Sequence, residues 1–258
     1  MTAIRGARAR ARSDITAAIK DEARRQLAAE GAAKLSLRAV ARELGMASSA
    51  LYRYFPSRDD LLTALILDAY NAIGAAAEAA DPEAADPGAA DSGAAGRSPG
   101  TGTGEGAADT AAEALVGRWT AVCAAVRSWA LAHPHEYALI YGSPVPGYHA
   151  PRDTAAPAGR VVFALIAVVR DAHAAGALQE PAGPLPDAVA AEARALASEL
   201  EIELPAPVTA ALVAVWAQLF GLISFELFGQ FHRVIEDRDA FFAHTVRRLA
   251  ADVGLAAR

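Results

Sequence analysis

The 258-residue sequence holds a single cysteine, Cys123, which excludes an internal disulfide and a zinc site built from thiolates. It also lacks an unbroken apolar run of the ~18 residues needed to cross a bilayer. The nearest stretch, Val208 to Phe225, is interrupted by Gln218, Gly221 and Ser224. No segment shows the apolar–polar alternation of a strand, and the basic start, MTAIRGARARARSD, has no apolar leader stretch. No Ser-His-Asp order, glycine-rich phosphate loop or paired-carboxylate site stands out. The six histidines share no helix face at metal-ligand spacing. The chain is therefore not expected to be an enzyme, and neither a cofactor, a metal nor a membrane is expected. The expected location is the cytoplasm.

What is abundant is alanine, the best helix former, within a chain that is 53% hydrophobic and 21% charged. An all-α fold follows. The net charge of −6 argues by itself against a polyanionic partner. Residues 1–62, however, carry twelve Lys or Arg against seven Asp or Glu, so the remainder sums to −11. A basic head on an acidic body implies that the head alone meets a polyanion.

Residues 1–12, with Arg5, Arg8, Arg10 and Arg12 among small residues, read as a flexible basic arm. Ile15, Ile19, Ala23 and Leu27 then recur every fourth residue, the stripe of a helix ending at Gly31. Ser36 can cap a second helix, and Gly45 stands where a left-handed residue would end it. A third, short helix is expected from Ser48 to Tyr54, stopped by Pro56. Ser57 and Asp60 resemble a capping box opening a helix that carries Leu61, Leu62, Leu65, Ile66, Ala69 and Ile73. Residues 78–108, built on ADPEAADPGAADSGAAG and a Gly/Ser/Thr-rich continuation, bury too little apolar surface to order and read as a disordered linker or insertion. Further helices are expected at 115–131, 136–141, 160–175, 186–200, 207–231 and 237–253, with a proline-rich loop at 142–159.

Two short helices joined by a glycine turn can lay the second helix in the major groove, although such pairs also occur in proteins that never meet DNA. The stretch SLRAVARELGMASSALYRYFPSRDDLL, residues 36–62, closely resembles the signature of the TetR family of bacterial regulators. The resemblance implies a three-helix helix-turn-helix head, residues 13–60, followed by a helical effector-binding and dimerisation domain, residues 61–258. Ser48 and Ser49 then sit where small hydroxyls reach base edges, and Arg38 can reach a guanine or a phosphate. Tyr52, Ser36 and Arg58 suit phosphates, with Tyr54 nearby and Arg8, Arg10 and Arg12 along the minor groove. Ala47 departs from the Ser or Thr usual before the groove helix. Losing that cap costs about 1 kcal/mol, and Ser48 is the candidate replacement.

The body resembles TetR regulatory domains named for a Trp-His-Gly signature, on HPHEYALIYGSPVPGYHAP and VWAQLFGLISFELFG. Trp216 is present, but Phe220-Gly221 stands in place of His-Gly. The resemblance implies a homodimer through 207–231 and 237–253, which binds palindromic operator DNA with groove helices roughly 34–36 Å apart. It further implies a repressor released by a small apolar effector. Trp119, Trp129, Tyr137, Tyr141 and Phe163 are the candidate lining of the effector cavity, against their alternative as plain core. A rival reading, an architectural DNA-binding protein without an effector, leaves the long acidic body without a purpose.

Overall fold

Alanine-rich sequence without strand alternation folds as helix over most of the described residues. The computed structural model describes residues 2–81, 104–181 and 183–255, with the backbone alone at 2–5, 8 and 104–109. Ten α-helices and two 3-10 turns, with no strand, make up these residues. They are α1 (Thr2–Glu30), α2 (Leu37–Glu43), α3 (Ser48–Leu51), α4 (Arg58–Ala79) and α5 (Gly104–Ala132). There follow α6 (Pro134–Tyr141), α7 (Ala155–Ala174), α8 (Asp187–Glu199), α9 (Ala206–Leu227) and α10 (Arg238–Asp252).

The chain divides into two compact units, one of Met1–Ala72 with His133–Ala158 and one of Ile73–Ala132 with Gly159–Arg258. The first is built around Ile19, Ala23 and Leu27 of α1, Leu37, Val40 and Ala41 of α2, Leu51 and Phe55, and Leu61, Leu62 and Leu65 of α4. Leu139, Val145 and Tyr148 pack against this core. The 133–158 excursion therefore belongs with the head, not with the body that the sequence reading assigned it to.

In the second unit, α5 buries Trp119, Val122, Cys123 and Val126, and α7 buries Val161, Leu165, Val168 and Val169. Helix α9 turns Val208, Leu212, Val215, Leu219 and Ile223 inward while Val213, Trp216 and Phe225 remain exposed. Helix α10 adds Phe242, Val246 and Leu249, and the Asp237 carboxylate accepts from Ala240 N–H at 2.9 Å as its cap. Both α4 and α9 have the length and apolar composition of a membrane span. Yet α4 sinks its leucines into the head core, and α9 carries a buried glutamate, Glu226.

Several boundaries differ from the sequence expectations. Residues 2–12 continue α1 rather than forming a separate arm, because no proline interrupts Thr2–Glu30 and the lone Gly6 weakens a helix without ending it. The 142–159 loop is shorter, since α7 starts at Ala155; Pro157 falls in its first turn, where the missing N–H has no helical partner to lose. The 78–108 tract is helical at both margins, through Ala79 and again from Gly104, and its remainder lies outside the described residues.

Candidate nucleic-acid interface

The head's chemistry rests on how α2 ends. Ser36 caps its start by accepting from Ala39 N–H at 3.4 Å. At its other end, Gly45 N–H donates to the Arg42 carbonyl at 3.1 Å and Met46 N–H to the Ala41 carbonyl at 2.8 Å. These paired bonds form a Schellman closure, which needs a left-handed residue at Gly45, where φ is 64°. The sharp turn delivers the chain into α3, anchored by fully buried Leu51 and by Phe55.

Helix α3 is regular only from Ser48 to Leu51, shorter than expected, although Tyr54 and Phe55 N–H still donate to the Leu51 carbonyl at 2.8 and 3.1 Å. Its N-cap is Ala47, and no side chain caps it. Ser48 therefore does not take over the cap, being already the first helical residue. Ser48, Ser49 and Tyr52 are exposed together, as is Arg38 on α2. Arg53, exposed between the two tyrosines, is a cation that the sequence reading passed over.

Two expected DNA contacts have internal work. Arg58, placed by the sequence reading at a phosphate, donates through Nε to the Leu35 carbonyl at 3.1 Å. Its Nη2 donates to the Ala32 and Ala33 carbonyls at 2.8 and 3.2 Å. A guanidinium so engaged braces the 31–36 turn and the Ser36 cap, which makes it a positioning residue. Tyr54 is half-buried against the head core, with the Arg12 guanidinium 5.4 Å from its ring centroid. Arg10 and Arg12 are exposed on α1; the side chain of Arg8 lies outside the described residues.

At the start of α4, Asp60 N–H donates to Ser57 Oγ at 3.1 Å, the serine half of the expected capping box, while the Ser57 hydroxyl rather than its backbone N–H donates to Asp60 Oδ2 at 2.7 Å.

The aromatic side chains assigned to an effector fall in different surroundings. In the second unit, Trp119 is wholly buried and its indole N–H donates to the Val246 carbonyl at 3.1 Å; Trp129 is buried, and Phe163 is 43% exposed. In the first unit, Tyr137 is wholly buried, with its ring 5.1 Å from that of Tyr141, which in turn lies 6.0 Å from Tyr70. Burial pushes the Tyr141 and Tyr70 phenols up from their ordinary value. Among the described residues no cluster of His, Cys, Asp and Glu could hold a metal ion.

Known proteins resemble this chain in both the head and the remaining helices. Residues 19–65 match the family described as "Bacterial regulatory proteins, tetR family", and residues 119–249 match "Tetracyclin repressor-like, C-terminal domain". The chain is 37% identical over 248 residues to the HTH-type transcriptional regulator Rv1816 of Mycobacterium tuberculosis H37Rv, covering 95% of each chain. The same figures hold for Mb1846 of Mycobacterium bovis. Among solved structures, the regulatory protein SCO4313 is similar at 34% identity and a TM-score of 0.66, over 94% of this chain and 98% of that one. A Rhodococcus sp. RHA1 protein shares the fold at 22% identity and a TM-score of 0.58, over 90% and 93%. The chain is thus a transcriptional regulator and not an enzyme, and it belongs to the TetR family.

Proposed function

We propose that this regulator is a cytoplasmic repressor that binds a palindromic operator as a homodimer and lets go when a small apolar effector binds. The observation that carries the DNA reading is the joint exposure of Ser48, Ser49 and Tyr52 on a helix whose other side is anchored by buried Leu51. Small hydroxyls on such a helix read base edges, while Tyr52, Arg38 and Arg53 meet phosphates. Arg10 and Arg12 extend the basic surface along α1.

The homodimer reading is supported by α9. Val213 is 44%, Trp216 43% and Phe225 53% exposed, three large apolar side chains of one helix that a lone chain leaves in water. Exposed apolar surface around Val213 and Trp216, one turn apart, is what an association surface would cover. Two copies joined through 207–231 and 237–253 would present two groove helices to half-sites about one DNA turn, roughly 34–36 Å, apart. An effector releases DNA only by binding better to a conformation whose heads are wrongly spaced. The aromatic content of α5 and α6 supports an apolar one.

The experiment is selection from random duplexes followed by footprinting. An inverted repeat protected on both half-sites is expected; recovery of no symmetric site would overturn the reading. Loss of the footprint on titrating apolar compounds tests the effector, and a footprint indifferent to all of them would favour the architectural alternative.

A further inference from the structure

Arg24 is a residue that the sequence pattern hides, one step round α1 from the buried stripe of Ile19, Ala23 and Leu27. Its guanidinium meets three carboxylates at once. Nε donates to Glu136 Oε1 at 3.0 Å, Nη1 to Asp21 Oδ1 at 2.7 Å and Nη2 to Asp68 Oδ2 at 2.7 Å. Asp68 is shared with Lys20, whose Nζ donates to its other oxygen at 2.9 Å. Asp68 stands on α4, and Glu136 lies in the first turn of α6, where a carboxylate also suits the helix dipole.

One planar fork therefore ties three helices of the head unit together. Lysine, a point charge, could not span those carboxylates. Helix α6 belongs to the 133–158 excursion, which in sequence leaves the second unit after Ala132 and re-enters it at Gly159. Helix α1, on its apolar side, shares a core with α2 and with Leu51 of the groove helix.

Side-chain exposures of 21–31% at Glu136, Asp68 and Arg24 leave these pairs within reach of salt. The apolar core packs α1, α2 and α4 together, and the ion pairs join α1, α4 and α6 at its partly exposed edge.

We propose that Arg24 is a positioning residue for operator binding, fixing α1, and with it the groove helix, to α4 and to the Glu136 end of the 133–158 excursion. The proposal rests on the operator reading above. In it, a segment continuous in sequence with the regulatory unit sets the aim of the head through Glu136.

The test uses the full chain, the selected operator and an unrelated duplex. Glu136→Gln removes a negative charge, so simple electrostatics would tighten binding to any DNA. The proposal expects the reverse for the operator: an affinity loss of about fivefold or more, the lower range of coupling between sites. Binding to the unrelated duplex should hold or improve, and thermal unfolding should be little changed. Arg24→Gln should also weaken operator binding, and the double variant should be no worse than Arg24→Gln alone, since both act on one bond. The variant-to-wild-type ratio should shrink towards one as salt rises.

Unchanged or tighter operator binding by Glu136→Gln, or strictly additive losses, overturns the proposal. If Arg24→Gln does not fold, Glu136→Gln still decides. Failure of the wild-type chain to select any operator is a different result, which defeats the operator reading itself.

Discussion

Arg118 grips Asp81 through two parallel hydrogen bonds, Nε to Oδ1 at 2.7 Å and Nη2 to Oδ2 at 2.9 Å. The Asp81 side chain has no exposed surface. Nη2 also reaches Asp171 Oδ2 at 2.7 Å, so one guanidinium on α5 joins the end of α4 to α7. Asp81, and then Asp171, hold the Arg118 charge in place by raising its proton affinity above the ordinary arginine value. Removing one partner from a buried pair leaves the other charge uncompensated, which costs about 3–5 kcal/mol. Asp81→Ala should therefore destabilise the chain by about 3 kcal/mol in urea unfolding, the lower end because Asp171 remains. A loss below about 1 kcal/mol would mark the pair as solvated, like a surface bridge.

A second clasp lies one turn earlier on α4. Arg160 donates through Nε to Glu78 Oε1 at 2.7 Å and through Nη2 to Oε2 at 2.5 Å. That hydrogen bonding holds the Glu78 carboxyl below its ordinary value, despite an opposing push from burial. A carboxylate with a depressed folded-state pKa adds stability above its unfolded value of about 4.3 and loses it as pH falls through the folded one. The gap in melting temperature between the wild type and Glu78→Gln should be present at pH 7 and close as pH drops below about 4. With Glu78 half exposed the gap is small. A gap that persisted at low pH would show that the side chain acts by packing.

The same clasp explains Gly74. A Cβ there would stand 2.6 Å from Arg160 Cβ and 2.9 Å from its Nε. Gly74→Ala would ordinarily gain helix propensity of about 1 kcal/mol. Here it should destabilise instead, by displacing Arg160, and chemical denaturation of the two chains side by side settles the sign.

These contacts mark where the sequence was legible and where it was not. The head was legible because its signals are local: Gly45 closing α2, Ser57 with Asp60 opening α4, and Leu51 and Phe55 at helical spacing. Asp81 was read as linker because ADPEAAD is compositionally bland, and its partner Arg118 lies 37 residues away. Arg58 carries two meanings, since a basic residue near a groove helix serves phosphates or carbonyls equally well. Only tertiary geometry chooses between them. For the same reason the 133–158 excursion was assigned to the body: neither Glu136 nor Tyr148 signals, in sequence, that it meets α1 or α4. Tyr148 does meet α4, its hydroxyl lying 2.9 Å from Thr63 Oγ1.

Trp216 tests the association surface. Its ring is 43% exposed and leans edge-on against Phe220 with centroids 6.2 Å apart, so a polar residue fits there without entering the core. Trp216→Glu should leave helicity intact but shift sedimentation from dimer to monomer, because a charge on each copy would have to be buried against apolar surface. Operator affinity should fall with it. A stable dimer carrying Glu at 216 would move the interface elsewhere.

The last prediction separates positioning from reading within the groove helix. Tyr52 is 42% exposed one residue beyond buried Leu51, with its phenol free to reach outward from the helix, whereas Ser49 presents only a short hydroxyl in the helix's first turn. A phenol has the reach for a phosphate oxygen, and contacts to the backbone fix register without carrying sequence information. Tyr52→Phe keeps the ring and removes one hydrogen bond. It should therefore weaken operator and unrelated duplex by the same factor, about tenfold or more for a bond to a charged group. Ser49→Ala should leave unrelated DNA nearly unaffected and relax the preference at one operator base pair, a discrimination worth about 1–3 kcal/mol for a good direct contact. Binding both variants against a set of operators substituted at each position distinguishes the roles. If Tyr52→Phe alters the preference at a single base pair while Ser49→Ala acts uniformly, the two assignments are reversed: the tyrosine reads sequence and the serine only orients the helix.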